Sequence, residues 1–160
     1  MVDVKEACIQ DIVWDSASEA FTTMVPLPIE RTDSAAEPST STQSLICTIT
    51  FTGTLQGFFS VLCSCESVER MARAMLMMEP DDPLEEAEIC DAYGEITNIL
   101  IGGLKSRINE LVPDMKISIP SVIRGQKITP GAGSGIERVD LDVSVDGSPM
   151  KLALAYRATN

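Results

Sequence analysis

Residues 84–111 read LEEAEICDAYGEITNILIGGLKSRINEL, and the spacing of their apolar side chains decides how the rest of the chain can fold. Apolar residues three or four positions apart lie on one face of a helix, so this stretch predicts a single long helix. Pro83 precedes the stretch and Pro113 follows it, which bounds the helix because proline interrupts helical hydrogen bonding. The apolar stripe, which must pack on a core, comprises Ile89, Tyr93, Ile96, Leu100, Leu104 and Leu111.

The sequence on either side of this helix predicts the elements that it packs against. Upstream, the pattern predicts a helix over residues 3–24, a mobile polar connection over residues 30–44, a hairpin of strands 45–52 and 56–63, and a helix over residues 68–78. Downstream, it predicts strands over residues 115–124, 136–145 and 149–156, with Asp146-Gly147 as a hairpin turn. This order predicts an α/β (α+β) sandwich with long helices packed on a largely antiparallel sheet. The 160 residues fit one domain.

Charge and hydropathy exclude several classes of protein. The net charge of -12 opposes nucleic-acid binding, which depends on neutralising phosphates with Lys and Arg. The sequence has no apolar run of about 18 residues, so we expect no membrane-spanning helix. The first ten residues, MVDVKEACIQ, do not resemble a signal peptide, and we therefore expect a cytoplasmic protein.

The residue types that are missing restrict the chemistry. There is no histidine, which removes the usual base of Ser-His-Asp and Cys-His nucleophilic sites. The five cysteines are odd in number and have no framework spacing, so we expect reduced thiols and no metal site; they are Cys8, Cys47, Cys63, Cys65 and Cys90. An enzyme with this composition would use carboxylates, amides or hydroxyls.

The polar face of the long helix carries the candidate site. Opposite the apolar stripe lie Asp91, Glu95, Asn98, Gly102, Lys105 and Asn109. Glu95 and Asn98 are three positions apart, so they are neighbours and can act on one external object together. Gly102 would let a partner's backbone approach closely, whereas Gly103 points to the core side, where helix packing can explain it. Pattern alone assigns no function here, because acid and amide pairs are common on surface helices.

A resemblance to a known family adds to this reading. The segment Asp91-Ala-Tyr-Gly-Glu95-Ile-Thr-Asn98, followed by Ile-Leu-Ile-Gly-Gly and then by Ile119-Pro120-Ser-Val-Ile, resembles the signature of the CheC/CheX/FliY phosphatases. That signature is an acid or serine, then E-x-x-N, then a downstream proline. The likeness extends over about two thirds of the chain, because the predicted hairpin and the helix after it lie where CheX proteins have theirs. It implies that residues 1–160 form one CheX-like phosphatase domain.

The resemblance implies roles for individual residues. In the family, the helix docks on a phosphorylated CheY-like receiver, so Glu95 is expected to contact the receiver's lysine and Asn98 to orient the attacking water. The receiver supplies its own Mg²⁺ for phosphoryl transfer, so this chain is expected to need no cofactor of its own. Asp91, Gly102 and Lys105 are expected to contribute to docking.

The first predicted helix contains an incomplete copy of the same motif. Asp15, Glu19 and Thr22 follow its spacing and face solvent on the helical wheel, but Thr22 stands where the asparagine is needed. A hydroxyl lacks the paired donor and acceptor of an amide, so we interpret this second site as lost. A single working motif resembles CheX, whose members form homodimers.

Two other functions remain open from the sequence. The main alternative is a non-enzymatic receiver-binding or flagellar-switch module on the same fold, because a fold and a docking face do not establish turnover. A small-molecule binding domain is the second alternative, and only the eight methionines favour it.

Overall fold

The computed structural model describes residues 6–32, 43–126 and 133–159. These residues form three helices: α1 (Glu6–Thr23), α2 (Cys65–Met75) and α3 (Glu86–Ile108). They also form seven strands: β1 (Ile29–Arg31), β2 (Ser44–Thr52), β3 (Leu55–Ser64), β4 (Lys116–Ile117), β5 (Ser121–Gly125), β6 (Glu137–Val145) and β7 (Ser148–Ala158). The predicted α+β fold with helices and an antiparallel sheet is confirmed.

The strands form one sheet in which all the pairings are antiparallel. The strand order is β1-β6-β7-β3-β2, and β4 and β5 both pair with the outer edge of β2. The hairpin turn predicted at Asp146-Gly147 joins β6 to β7, and both residues have positive φ, at 49° and 80°. A two-residue turn of this kind requires positive φ, which explains why Asp-Gly occupies it.

The core lies between the helices and one face of the sheet. Alternate residues of the strands, such as Cys47 and Ile49 in β2 and Leu141 and Val143 in β6, join one apolar cluster with the inward residues of all three helices. Alternation is the pattern expected where a sheet buries one face against helices. The helices therefore form one layer, and α3 contacts both α1 and α2 within it.

Capping residues set the first residues of α2 and α3. Helix α2 begins at Cys65, since the Ser64 hydroxyl accepts a hydrogen bond from the Ser67 N–H at 3.1 Å. Helix α3 begins at Glu86 behind a capping box formed by Glu85 and Glu88. It ends at Ile108, so Leu111 lies beyond the helix and is 48% exposed; its predicted place on the buried stripe is wrong.

The polar connection predicted over residues 30–44 is wrong at both ends. Glu30 and Arg31 belong to β1, which pairs with β6, and Ser44 is the first residue of β2. Residues 33–42 of that connection lie outside the described residues.

The single strand predicted over residues 115–124 is interrupted by a bulge. Ile117 pairs with Phe51 and Ser121 pairs with Thr48, so three residues of this strand oppose two residues of β2. The extra residue falls at Ile119–Pro120, and proline, which has no N–H to donate to a sheet, is tolerated at bulges and edges. The bulge divides the predicted strand into β4 and β5.

Candidate functional site

Helix α3 is tied to the sheet by one buried hydroxyl. The Tyr93 side chain is fully buried, and its Oη donates to the carbonyl oxygen of Val61 at 2.6 Å, with the carbonyl oxygen of Leu45 at 3.2 Å. The Cys63 Sγ lies 3.4 Å from the same hydroxyl. Burial raises the pKa of Tyr93 well above its usual value and the pKa of Cys63 to about 12, so both groups keep their protons. The Cys63 thiol can therefore donate to the tyrosine oxygen.

Thr97 is the next buried polar residue of α3. Its hydroxyl donates to the carbonyl oxygen of Tyr93 at 2.9 Å, a hydrogen bond within the helix. Burial raises the pKa of the Cys47 thiol of β2, and the neighbouring Thr97 side chain offsets part of this rise. The inward side of the turn that contains Tyr93 and Thr97 thus has a defined partner at each polar atom.

Glu95 and Asn98 project from the other side of this turn. Glu95 is exposed, as the helical wheel predicts, whereas Asn98 on the same face is half-buried. Among the described residues, neither the Glu95 carboxylate nor the Asn98 amide has a hydrogen-bond or ion-pair partner. A carboxylate accepts hydrogen bonds and an amide both accepts and donates them, so the pair can bind a cationic donor and a water on an external object.

The residues predicted to dock a partner lie along the same face of α3. Asp91 is exposed, one turn before Glu95, and Lys105 is half-buried toward the end of the helix. Apart from its chain neighbours and the adjacent backbone of α3, no atom of the described residues lies within 4 Å of the point where a Gly102 Cβ would stand. A Cβ on Gly103 would instead lie 3.3 Å from the Ser16 Cβ of α1, which confirms that packing explains this glycine.

Gly94 has a contact that the sequence analysis missed. A Cβ at Gly94 would lie 3.0 Å from the Pro120 Cγ, so the bulge between β4 and β5 packs directly on the turn that carries Glu95. A second tie is the ion pair between Arg124 of β5 and Glu86 of α3 at 2.7 Å. The signal in the sequence was a glycine inside a helix, which costs about 1 kcal/mol relative to alanine and requires a reason.

The incomplete copy of the motif in α1 lies against the C-terminal half of α3. Asp15, Glu19 and Thr22 are all exposed, and the Thr22 hydroxyl donates to the carbonyl oxygen of Ser18 at 2.7 Å. The Glu19 carboxylate pairs with Arg107 of α3 at 2.5 Å. These groups therefore already have partners within the chain, unlike Glu95 and Asn98.

An apolar cavity of about 50 Å³ lies at the C-terminal end of α3, where Ile108 and Val112 approach Ile9 and Leu154. Ligand pockets are typically of the order of 300–1,000 Å³, so this cavity does not favour a small-molecule binding domain. In the described residues, no group of three or more Cys, Asp or Glu side chains is placed to hold a metal ion. Within the same ranges, none of the helices has the length and apolar character needed to cross a membrane.

Comparison with known proteins gives consistent likenesses. The chain is similar to the crystal structure of the chemotaxis protein CheX from Vibrio vulnificus, with a TM-score of 0.76 and 19% identity over 97% of this chain and 100% of that chain. It is similar to the CheX-CheY-BeF3-Mg²⁺ complex from Borrelia burgdorferi, with a TM-score of 0.72 and 17% identity over 92% of this chain and 96% of that chain. It is also similar to FliY from Thermotoga maritima, with a TM-score of 0.66 and 16% identity over 99% of this chain and 92% of that chain. A search of curated proteins finds no significant match.

These likenesses define the class of protein, which has the α+β fold shared by CheX, CheC-like and FliY proteins. The model of one family, described as chemotaxis phosphatase CheX, matches residues 45–142, which is more than half of the chain. The chain therefore belongs to the CheX family of chemotaxis phosphatases. The matched residues include α3 and the Ile119–Pro120 bulge.

The anchoring of α3 by Tyr93 generates a prediction about stability. Tyr93→Phe keeps the buried ring but removes the hydroxyl, which leaves the carbonyl oxygens of Val61 and Leu45 without this donor. We expect the free energy of unfolding to fall by about 2 kcal/mol, the cost of a lost buried hydrogen bond. Urea denaturation checks this, and an unchanged midpoint would contradict the proposed anchor.

Proposed function

We propose that this chain is a phosphatase that removes the phosphoryl group from the aspartyl-phosphate of a CheY-like receiver in the cytoplasm. The observation that carries the proposal is that Glu95 and Asn98 project from a fixed turn of α3 without partners among the described residues. Membership of a family described as chemotaxis phosphatases supports the reaction class. The Borrelia burgdorferi CheX structure with CheY, BeF3 and Mg²⁺ supports the choice of a receiver as the partner.

The proposed reaction needs little covalent chemistry from this chain. A water attacks the phosphorus in line with the bond to the receiver's aspartate, that bond breaks, and inorganic phosphate and a free carboxylate result. Phosphoryl transfer passes through a loose transition state, for which positioning and charge stabilisation suffice. The Asn98 carbonyl oxygen can accept a hydrogen bond from the water while its N–H₂ donates to a phosphoryl oxygen.

Glu95 has the second role. Its carboxylate is expected to pair with the lysine of the receiver's active site, which holds the receiver so that the Asn98 amide enters the phosphoryl site. The receiver's own Mg²⁺ offsets the charge of the phosphoryl group, so no cofactor is assigned to this chain. Asp91, Gly102 and Lys105 extend the docking face, with Gly102 leaving room for the receiver's backbone.

Removal of Asn98 or Glu95 should have different kinetic consequences. If Asn98 acts mainly in the transition state, Asn98→Ala should lower the maximal dephosphorylation rate by on the order of 10² or more, with receiver binding retained. Glu95→Ala should also weaken binding, because its ion pair exists in the ground-state complex. Stability should change by less than about 0.5 kcal/mol in both. The measurement is dephosphorylation of the receiver at saturating and subsaturating concentrations of each variant.

Glu110→Ala is the matched control for Glu95→Ala, because Glu110 is an exposed acid just beyond the end of α3. We expect this control to retain the unmodified rate. If Asn98→Ala dephosphorylates the receiver as fast as the unmodified chain does, the phosphatase mechanism is refuted. The non-enzymatic receiver-binding or flagellar-switch module would then take its place.

The incomplete copy of the motif in α1 is proposed to be inactive. Glu19→Ala should leave the dephosphorylation rate within about twofold, because Thr22 lacks an amide and the Glu19 carboxylate pairs with Arg107. Loss of this partly exposed ion pair should cost at most about 1 kcal/mol of stability. Parallel rate and denaturation measurements test this, and a rate loss as large as that of Glu95→Ala would show that α1 carries a working site.

We also propose that the chain forms a symmetric homodimer, through sheet or helix edges joined across a two-fold axis. The motivation is the single intact motif, which is the arrangement expected of one-site, CheX-like chains. Light scattering over a range of concentrations should give twice the monomer mass. A monomer at every concentration would contradict this assembly.

A further inference from the structure

Ile119 is a large aliphatic residue held out in solvent by a fixed backbone. It is 87% exposed, although it stands in the bulge between two strands rather than in a terminus or a long loop. On one side, the Ser118 N–H donates to the carbonyl oxygen of Thr50 at 2.9 Å, and the Thr50 N–H donates to the Ser118 hydroxyl at 3.0 Å. On the other side, Pro120 packs against Gly94 of α3.

The bulge also re-aims the side chain. In a regular strand, successive residues alternate between the two faces of the sheet, and an extra residue breaks this alternation and bends the strand. Ile117 pairs with the buried Phe51, so regular alternation would place Ile119, two residues further on, on the core face; after the extra residue Ile119 projects into solvent instead. Bulges occur frequently beside functional sites, where they redirect a side chain.

Ile119 lies close to the proposed site. Pro120 contacts Gly94, which directly precedes Glu95, and consecutive Cα atoms are about 3.8 Å apart, so the Cα atoms of Ile119 and Glu95 lie within about 15 Å of each other. A specific protein interface covers about 800 Å² on each partner, which corresponds to a disc of about 16 Å radius. A receiver centred on Glu95 and Asn98 would therefore reach Ile119.

We propose that Ile119 is an apolar anchor for the phosphorylated receiver, contacting the receiver's surface beside its phosphorylation site. This inference rests on the proposed function, because it takes the receiver to dock on Glu95 and Asn98. A side chain whose backbone is already fixed loses little further freedom on binding, and a few fully buried side chains supply most of the affinity of an interface. Ile119 would supply affinity for the receiver, and Asn98 would supply the chemistry.

The same geometry argues against a second copy of this chain as the occupant. Strand addition at a sheet edge needs a regular row of N–H and C=O groups, and a bulge and a proline are devices that blunt such an edge. Both are present at Ile119–Pro120, so another strand cannot pair regularly with the sheet at this point. A receiver that contacts the Ile119 side chain needs no such backbone pairing.

The test compares Ile119→Ser with Ile123→Ser. Ile123 is the matched control, because it is 58% exposed on the same edge of the sheet but pairs opposite Ile46, in regular β5 beyond the bulge. The partners are purified CheY-like receivers from the same genome, used both phosphorylated and activated with beryllofluoride and Mg²⁺. Sedimentation velocity and thermal denaturation of each variant accompany the assays.

We expect Ile119→Ser to raise the KM for the phosphorylated receiver and the Kd for the beryllofluoride form by 10-fold or more, the effect of losing a buried aliphatic side chain. The maximal rate should stay within about twofold, because the transition-state contacts are intact. Ile123→Ser should stay within about twofold in all three quantities. The sedimentation coefficient and the melting temperature should be unchanged for both variants.

The outcomes separate this inference from the proposed function. If Asn98→Ala keeps the full rate while Ile119→Ser still weakens binding of the beryllofluoride form, the chemistry is wrong and the anchor stands. If Ile119→Ser binds and turns over the receiver as Ile123→Ser does, the anchor is wrong whatever Asn98 does. A change in sedimentation without a change in KM or Kd would mean that a second copy covers Ile119. Failure of the unmodified chain to bind any receiver would overturn both.

Discussion

The hydrogen bond from the Tyr93 hydroxyl to the carbonyl oxygen of Val61 sets the rotation of α3 about its own axis, and the proposed site depends on that rotation. Each helical residue turns the chain by about 100°, so Glu95 and Asn98 lie about 200° and 140° from Tyr93. With Tyr93 pointing into the core, both must face outward. Thr97, one turn further along, is also fully buried, so the same face of α3 points inward there.

The packing of α1 on α3 engages residues of α1 that follow the motif spacing. Gly103 allows Ser16 to approach closely, and Arg107 then reaches Glu19 and the carbonyl oxygen of Asp15. A carboxylate engaged by an arginine of its own chain is less available to a lysine of another protein. Residues that follow the spacing of a docking motif thus join the two helices, which agrees with the absence of an asparagine at Thr22.

The sequence was most informative where the determinants are local. The periodicity of residues 84–111 located α3 and its two faces, and Asp146-Gly147 located a hairpin turn, because side-chain spacing and backbone conformation are encoded within a few residues. It was wrong where tertiary contacts decide: β1 is three residues long and exists because it pairs with β6, and the bulge exists beside a contact with Gly94. The wheel placed Glu95 and Asn98 outside, but their roles came from the family resemblance, since spacing does not identify a partner.

An exposed helical face is a suitable catalytic surface for the proposed reaction because the partner contributes most of the charge. A receiver already holds the phosphoryl group, a metal ion and its acidic ligands, so a deep cleft lined with further charges would exclude the very surface that must enter it. What the receiver lacks is a positioned water, which one amide can supply if its approach is defined to a fraction of an ångström. The rigid parts of this chain meet that need: Tyr93 fixes the inner side of α3, and Pro120 rests on Gly94 beside Glu95. A fixed turn flanked by a fixed aliphatic residue can therefore orient a whole receiver through few contacts, which is the arrangement expected of a complex that must form and dissociate at every turnover.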